Sequence, residues 1–340
     1  MPDSSDFPPV AYMQSEISST LNSIVLMTFG MGIYTMVYFG TLYIYLTRKT
    51  RSERSIVVIA ITVLYGLSLL ELISQWWSLG FSFVQNDQTQ ETIFLSFGNL
   101  PLWDGLVLNI GGFLAIIVAD ALLLWRCFQV WGNSVRVIAF PSFLWVAETA
   151  IFFGQIIGQN LSENSHSNLS PKAAVLYDNL EAAAFFISAI NSILISFLIA
   201  YRIYSVSSSP SHVSKSTGRF NYVIDIVLQS AAAYSLSLLV NAITAVIPPT
   251  VSGTRLTALI LYSTAVTVPI IGIAPTVMVA RVALAASQNT SHGSTTVHFS
   301  GLLFNEVGPA DSETGLGIRT DNSHVAEERI THEKENQDTS

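Results

Sequence analysis

The chain has 340 residues, of which 50% are hydrophobic and 11% are charged, and its formal net charge is −8. Soluble domains carry about 25% charged residues, so this composition excludes an ordinary soluble protein and predicts that apolar surface faces lipid. Nine of the 23 acidic residues follow Val282, so the negative charge belongs largely to the C-terminal segment. No basic stripe with interleaved aromatic residues occurs, which argues against nucleic-acid binding.

Seven stretches are apolar and long enough to cross a bilayer, which takes about 20 helical residues. In chain order, the predicted spans are 21–46, 55–79, 103–125, 137–158, 177–200, 220–247 and 256–280. Barrel strands are alternating segments of only about 10 residues, whereas a helix satisfies its own backbone hydrogen bonds, as lipid requires. The sequence therefore predicts an all-α membrane protein, a seven-transmembrane-helix bundle with the bilayer as its first partner.

The positively charged residues predict the orientation of the bundle. Residues 1–20, a short leader, contain no Lys or Arg. Of the 15 Lys and Arg residues, only Lys172 and Arg255 lie outside the first, third and fifth connections and the segment after the last span. Because positive residues stay in the cytosol, we expect the N-terminus to be extracellular and the C-terminus cytosolic.

Some of the connections and the segment after the last span allow further predictions. We expect solvated loops in the second, fourth and fifth connections. Asn160 and Asn168 begin two glycosylation sequons in the fourth connection, on the predicted outer side, and are candidate glycosylation sites that favour the plasma membrane. Residues 282–340 are rich in Ser, Thr, Asn and Glu, and we predict a disordered acidic cytosolic tail because they bury too little apolar area to fold.

Several kinds of chemistry are missing from the predicted spans. All 6 histidines, and all the lysines, lie outside them. An intramembrane zinc enzyme needs converging His or carboxylate ligands, and a retinal protein needs a buried Lys for its Schiff base. No Gly-rich phosphate loop or nucleophile motif occurs. We therefore predict no catalytic residue, no metal site and no cofactor.

Ionisable residues inside a bilayer cost about 2.5–3.5 kcal/mol each, so those in the spans are candidate functional residues. Glu71 and Gln75 share a helix face because they are four apart, with Asn109 and Gln155 as neighbours from other spans. The candidates for an outer ligand cavity are Glu71, Gln75, Trp76, Trp103, Asp104, Asp178 and Glu181. The other intramembrane polar candidates are Asp120, Glu148, Asn191, Asp225 and Gln229. We expect these side chains to form interhelical hydrogen bonds or to line a cavity or a proton path.

Two residues at the cytosolic end of the third span are further candidates. Arg126 follows Asp120 by six residues, about 240° around a helix, so the two side chains do not face each other. We expect Arg126 to extend to the cytosolic headgroups, as a candidate switch residue by positional analogy with G-protein-coupled receptors. Cys127, the single cysteine, is either a small partly buried residue or a candidate palmitoylation site.

Small residues predict close helix packing in the fourth and fifth spans. They are Gly154 and Gly158 in the fourth, and Ala184, Ser188, Ser192 and Ser196 in the fifth. We expect packing within one bundle, with a homodimer as the alternative. Pro269 and Pro275 predict a kink in the seventh span.

Three segments carry a resemblance to a known family. They are Asp120–Trp131, Tyr222–Tyr234 with its Gln229-Ser230-Ala231-Ala232, and Gly272–Thr276 followed by Ala280-Arg281-Val282-Ala283. Over residues 20–285 the chain resembles an uncharacterised seven-transmembrane protein family of mushroom-forming (basidiomycete) fungi. Relatives often have Glu-Ser where this chain has Gln229-Ser230, so no role resting on that acid is expected. The family has no assigned activity, and the resemblance implies topology alone.

Two function classes fit the predicted topology. A receptor-like sensor of a small-molecule or peptide ligand is favoured, with a G protein as the candidate effector at the basic cytosolic loops and tail. A transporter or proton-linked carrier using Glu71, Asp120 and Glu148 is the alternative. Seven spans without a detectable repeat fit poorly with inverted-repeat carriers. A membrane enzyme is the least favoured class because no nucleophile, base and orienting group can be assembled from the sequence.

Overall fold

The computed structural model describes residues 8–47, 53–85, 88–164, 171–207, 217–247 and 254–290. The α-helices in these residues are α1 Val10–Leu46, α2 Glu53–Gly80, α3 Gln90–Gly98, α4 Leu102–Val130, α5 Val135–Asn164, α6 Pro171–Ser207, α7 Thr217–Val246 and α8 Thr254–Thr290. All except α3 are long and apolar enough to cross a membrane, and together they supply 7 candidate spans. The predicted all-α, seven-helix membrane protein is confirmed.

The first and last long helices extend beyond the predicted spans. α1 begins at Val10, inside the segment predicted as a leader, and α8 continues to Thr290, past the predicted start of the tail. Hydropathy marks only the lipid-embedded part of a helix, whereas backbone hydrogen bonding continues into polar residues at its ends. The predicted disordered tail after Thr290 lies outside the described residues.

The second connection, predicted to be a solvated loop, contains a helix. α2 continues into a π-helical turn at Phe81–Gln85, and α3 follows within the same connection. Thr89 and Thr92 form a reciprocal cap: the Thr92 N–H donates to Thr89 Oγ1 at 3.2 Å, and the Thr89 N–H donates to Thr92 Oγ1 at 2.9 Å. Such a cap satisfies backbone N–H groups at the start of a helix. The polar composition of the connection does not reveal it. We call the end of the bundle that carries this helix the α3 end.

The seven long helices pack as one bundle. α1 contacts α2 and α8, α7 contacts α6 and α8, and α5 contacts α4 and α6. α4 also packs against α2, α6 and α8, so the third span is central to the bundle. The described helices belong to one compact unit, Met1–Leu303, and the second unit, Phe304–Ser340, lies outside the described residues.

The distribution of side chains is that of a membrane protein. Large apolar groups face outward, including Phe29 at 69% exposure, Met36 at 81% and Phe143 at 67%. The interior contains many polar groups, of which Asp120 and Glu148 are completely buried. An apolar exterior of this extent is unfavourable in water and favourable in lipid, so the bundle is suited to a bilayer.

The predicted small-residue stripe of α6 lies inside the bundle. Ala184, Ser188, Ser192 and Ser196 are all buried. Ser235 of α7 donates a hydrogen bond to Ser192 at 3.2 Å, which confirms close packing between these two helices. The small side chains let the α6 and α7 backbones approach each other, as small residues do in other membrane bundles.

The two small residues predicted to pack in α5 have different surroundings. A Cβ added at Gly158 would lie 2.6 Å from the Tyr177 hydroxyl, so Gly158 allows α5 to approach α6. A Cβ at Gly154 would meet nothing within 4 Å. Gly158 therefore has a packing role within the bundle, whereas the homodimer stays a prediction.

Candidate functional site

A cavity of about 350 Å³ lies in the half of the bundle next to the α3 end. Its polar side chains include Glu71 and Gln75 from α2, Asn109 from α4, Asp178 and Glu181 from α6, and Asn241 from α7. The remaining lining residues are Met27, Leu108, Gly112, Phe113, Ile116, Phe185, Thr244, Ala245, Ile260, Thr264, Thr267, Val268 and Ile271. Six of the seven long helices thus contribute to its wall.

The structure brings together four of the predicted ligand-binding residues. Glu71, Gln75, Asp178 and Glu181 all line the cavity, although they come from two helices that are distant in sequence. Asn109, expected to be a neighbour of Glu71, lines it as well. The spacing of Glu71 and Gln75 places both on one face of α2, and that face is turned toward α4. A role for these residues in ligand binding stays a prediction.

Asp104, also predicted to bind the ligand, does not line the cavity. Its carboxylate is completely buried in the first turn of α4 and accepts hydrogen bonds from Ser74 and, at 2.7 Å, from Ser78. A carboxylate is also favourable at a helix N-terminus, where unpaired N–H groups carry partial positive charge. Asp104 therefore connects α4 to α2, and the prediction that it bounds the cavity is corrected.

The two predicted tryptophans are also outside the cavity wall. Trp76 is 46% exposed, and its indole N–H donates to Thr28 on α1 at 2.9 Å. Trp103 is 48% exposed and packs on Trp77, with the ring centroids 4.5 Å apart. Indole rings with one polar group are suited to the membrane–water interface, so Trp76 and Trp103 are better explained as interfacial residues than as part of the cavity.

Glu71 is the most buried acidic side chain in the cavity wall. It is 5% exposed, and its Oε1 has no hydrogen-bond partner among the described residues. Two glycines of α4 face it: a Cβ at Gly112 would lie 3.1 Å from Oε1, and a Cβ at Gly111 would lie 3.4 Å from Glu71 Cγ. The absence of side chains at these glycines therefore lets the Glu71 carboxyl group pack close to the α4 backbone.

Two other polar groups of the cavity are fixed by neighbouring helices. Gln155 of α5 is completely buried and donates to Glu181 Oε2 at 2.9 Å. Asn241 donates to Thr267 of α8 at 2.6 Å and accepts from Ser263 at 3.3 Å. These interhelical bonds hold the α6 and α7 sides of the cavity in place.

A second polar cluster, which we call the carboxyl pair, consists of Asp120 and Glu148. Asp120 accepts hydrogen bonds from Ser188 at 2.6 Å and from Tyr234 at 2.9 Å. Glu148 lies against Asp120 and Ser188, but neither of its carboxyl oxygens has a hydrogen bond of normal geometry within the described residues. The pair therefore joins α4, α5, α6 and α7 at one buried point.

Three phenylalanines lie between the cavity and the carboxyl pair. Phe113 and Phe185 line the cavity. Phe152 stacks on Phe113 with ring centroids 4.4 Å apart and meets Phe185 edge-on at 5.9 Å. Asp120 lies about two helical turns beyond Phe113, and Glu148 lies about one turn from Phe152, both away from the α3 end. We call these rings the phenylalanine layer.

The other intramembrane candidates have varied positions. Asn191 is completely buried, and neither its side-chain oxygen nor its nitrogen has a hydrogen-bond partner in the described part of the chain. Gln229 is exposed on α7. Asp225 lies on the same helix, but its side chain is outside the described structure. The glycosylation candidates also fall there, since the side chain of Asn160 and the whole of Asn168 are not described.

At the end of the bundle opposite α3, Arg126 is buried. The prediction that its side chain extends to the headgroups is therefore corrected. It is 6% exposed, lies over the Trp125 ring at 5.1 Å and donates to the Tyr45 hydroxyl at 3.3 Å. The Tyr45 hydroxyl in turn donates to the Val279 carbonyl at 3.4 Å. An aromatic face and a hydroxyl acceptor within the bundle supply the contacts that headgroups were expected to provide. Arg126 thereby connects α4 to α1 and α8.

The palmitoylation candidate is also buried. Cys127 has 0% exposure and belongs to the main hydrophobic core. An acyl chain cannot be attached to a thiol that neither lipid nor enzyme can reach, so the prediction of palmitoylation is corrected. The sequence placed Cys127 at a helix end, but α4 continues to Val130 and keeps this residue inside the bundle.

Several residues of the site were missed by sequence reasoning. The sequence predicts only a packing role for Ser188 and indicates Tyr234 only as part of a family-like segment, yet both donate to Asp120. A buried carboxyl group requires donors, so hydroxyl residues on neighbouring spans were the available signal. The phenylalanine layer had no comparable signal because Phe is common in every apolar span.

No family model, curated protein or solved structure matches this chain. The resemblance to a basidiomycete family therefore stays a prediction.

Proposed function

We propose that this chain is a non-enzymatic, receptor-like sensor that binds a ligand in the cavity at the α3 end. The observation that carries the proposal is the cavity itself, which is surrounded by six spanning helices and lined by four polar residues predicted to bind a ligand. Its volume of about 350 Å³ suits a small molecule, since such sites measure about 300–1,000 Å³. A mostly apolar wall with few polar groups is also typical of these sites.

The contacts of α4 and α8 supply a route from the ligand to an effector. Both helices line the cavity, and both reach the contact between Arg126, Tyr45 and Val279 in the other half of the bundle. A ligand that favours one position of α4 or α8 shifts the population of these contacts. In this proposal the α3 end is extracellular at the plasma membrane, and a G protein binds the cytosolic end.

Filling the cavity is expected to abolish the response to a ligand. Ala245 lines the cavity, so the indole of Ala245→Trp would occupy the ligand volume. Ala233 is exposed on the same helix, and Ala233→Trp adds the same group outside the cavity. Cells that express each full chain with a G-protein reporter are screened against a small-molecule library. We expect at least one compound to activate the wild type and Ala233→Trp but not Ala245→Trp.

Two measurements keep this test interpretable. Surface labelling of both tryptophan variants shows whether they reach the membrane in equal amounts. A reporter fused after Ser340 should be found in the cytosol. The sensor proposal is abandoned if no compound activates the wild type, or if Ala245→Trp responds as strongly as Ala233→Trp.

The carboxyl pair supports a second candidate function, a proton-linked carrier. Two adjoining carboxyl groups favour sharing a proton because both cannot easily be charged in a low-dielectric interior. Asp120 and Glu148 are buried together beyond the phenylalanine layer, next to a cavity that contains further acids. This arrangement places titratable groups on both sides of a short apolar barrier. Buried intramembrane acids of this kind mark proton relays in pumps and transporters.

Proton flux distinguishes the carrier from the sensor. The full chain is reconstituted into liposomes that contain a pH-sensitive dye, and a proton gradient is applied. If the chain is a carrier, Asp120→Asn and Glu148→Gln should reduce flux about tenfold or more, since each removes a proton-binding group. Gln229→Glu, at an exposed α7 position, is the matched control with an added acid. Equal flux in the wild type, both variants and protein-free liposomes eliminates the carrier.

A further inference from the structure

We propose that the cavity binds a small organic cation, such as a primary amine or a quaternary ammonium compound with an apolar body. This inference deepens the proposed function and rests on the same cavity. The lining of the cavity is acidic. Glu71, Asp178 and Glu181 contribute acidic groups, and no Lys, Arg or His is among the lining residues described.

The sign of this charge selects the ligand. An apolar wall and a surrounding bilayer screen charge weakly, so a cleft lined by one sign of charge concentrates counterions and repels ions of its own sign. The remaining polar lining groups, such as Gln75, Asn109 and Asn241, are neutral and do not offset the acids. An anionic ligand would therefore be disfavoured, and a cation would be attracted.

Glu71 supplies a specific anchor for the cation. It is 95% buried, and its Oε1 accepts no hydrogen bond from any described residue. A buried acceptor without a donor is costly, so an ammonium group beside this carboxyl group gains an ion pair, and a primary ammonium also gains a charge-assisted hydrogen bond. Glu71 lines the cavity, so a ligand bound there can reach its carboxyl group, and the lack of a side chain at Gly112 lets that carboxyl group lie close to α4.

The shape of the cavity favours an organic cation over a metal ion. No group of three His, Cys, Asp or Glu residues in the described structure is arranged to hold a metal ion. A volume of about 350 Å³ also exceeds what one ion requires. Phe113 and Phe185 add aromatic surface to the wall, and aromatic rings attract ammonium groups through their negative faces. A cationic head with an apolar body matches both parts of this lining.

The proposal is tested with probes of similar size and different charge. Full-length protein in nanodiscs of zwitterionic lipid is titrated with phenethylamine, benzyltrimethylammonium, 2-phenylethanol, phenylacetate and calcium, and thermal stabilisation is measured. We expect the two organic cations to bind and the neutral, anionic and metal probes to show no saturable effect. Preference for the alcohol, the carboxylate or calcium in the wild type overturns the proposal without any variant.

Variants locate the binding and separate the two proposals. Glu71→Gln should weaken cation binding about tenfold or more, since it removes the charge but keeps the shape of the side chain. Glu91→Gln, which alters an exposed acid of α3 at the same end of the bundle, should bind as the wild type does. If Glu71→Gln does not fold, Asp178→Asn provides a second lining position with a partly exposed acid.

The cavity-filling variant completes the test. If neutral or anionic probes bind and Ala245→Trp blocks them, the cation proposal fails while the ligand cavity stands. If cations bind equally to the wild type, Glu71→Gln and Ala245→Trp, they bind elsewhere, and the cation proposal fails. Loss of cation binding in Ala245→Trp and in Glu71→Gln, but not in Glu91→Gln, supports the proposal.

Discussion

Replacing Asp120 with leucine is expected to lower the free energy of unfolding of the bundle by about 2 kcal/mol, as measured in mixed detergent micelles. The substitution removes the acceptor of two buried hydroxyl groups, those of Ser188 and Tyr234. An orphaned buried hydroxyl costs about 1–3 kcal/mol in soluble proteins. Two such hydroxyls would cost about 2–6 kcal/mol on that scale. Interhelical hydrogen bonds in membranes average only about 0.6 kcal/mol, so the expected total lies at the lower end of this sum.

Conservative and remote substitutions test this explanation. Asp120→Asn keeps one side-chain oxygen as an acceptor and should cost less than leucine. Gln229→Leu changes a polar residue to leucine at an exposed position of the membrane bundle and should be close to neutral. An Asp120→Leu protein that unfolds at the same detergent composition as the wild type would show that the buried hydrogen bonds contribute nothing measurable.

Substitution of Gly272 with alanine is expected to have a comparable effect through a steric mechanism. A Cβ at Gly272 would overlap Cε1 of Tyr34, and the Tyr34 ring is completely buried between α1 and α8. The ring is rigid and packs edge-on against Tyr65, with the centroids 5.4 Å apart, so it has little freedom to move away. Overpacking of this kind costs about 1–3 kcal/mol. Thermal unfolding in detergent measures the loss.

A matched glycine and a compensating change make the steric explanation specific. Gly154→Ala places the same methyl group where nothing lies within 4 Å, and it should be neutral or slightly stabilising because alanine favours helix. In a double variant, Tyr34→Leu should relieve part of the cost of Gly272→Ala. Simple additivity of the two changes would argue against a direct clash between these side chains.

The seven spans were predictable from sequence because lipid imposes a simple length requirement. Apolar runs such as 55–79 need only be long enough to cross a bilayer, whatever their neighbours are. The structure confirms all seven helices. α3 was missed because its nine residues are too few to form a span, and its existence depends on the local cap at Thr89 and on packing against α1.

The site was predictable only in part because helix spacing determines a face but not its partner. The interval between Glu71 and Gln75 placed both residues on one side of α2, and both line the cavity. No spacing indicated that Asp104, equally acidic and close to a helix end, would be enclosed by Ser74 and Ser78. Arg126 was likewise expected in the headgroups because its partner Tyr45 is remote in sequence. Such contacts between helices are determined by tertiary packing.

The early start of α1 has a practical consequence for anyone who expresses this protein. Met13 is 2% exposed, Tyr12 meets Phe94 edge-on, and Gln14 donates to Gln90 at 3.5 Å. A vector that trims the first 20 residues as a dispensable leader would remove the surface on which α3 rests, leaving that segment without its support. Epitope tags and purification handles at the amino end therefore belong upstream of Pro9, separated by a spacer.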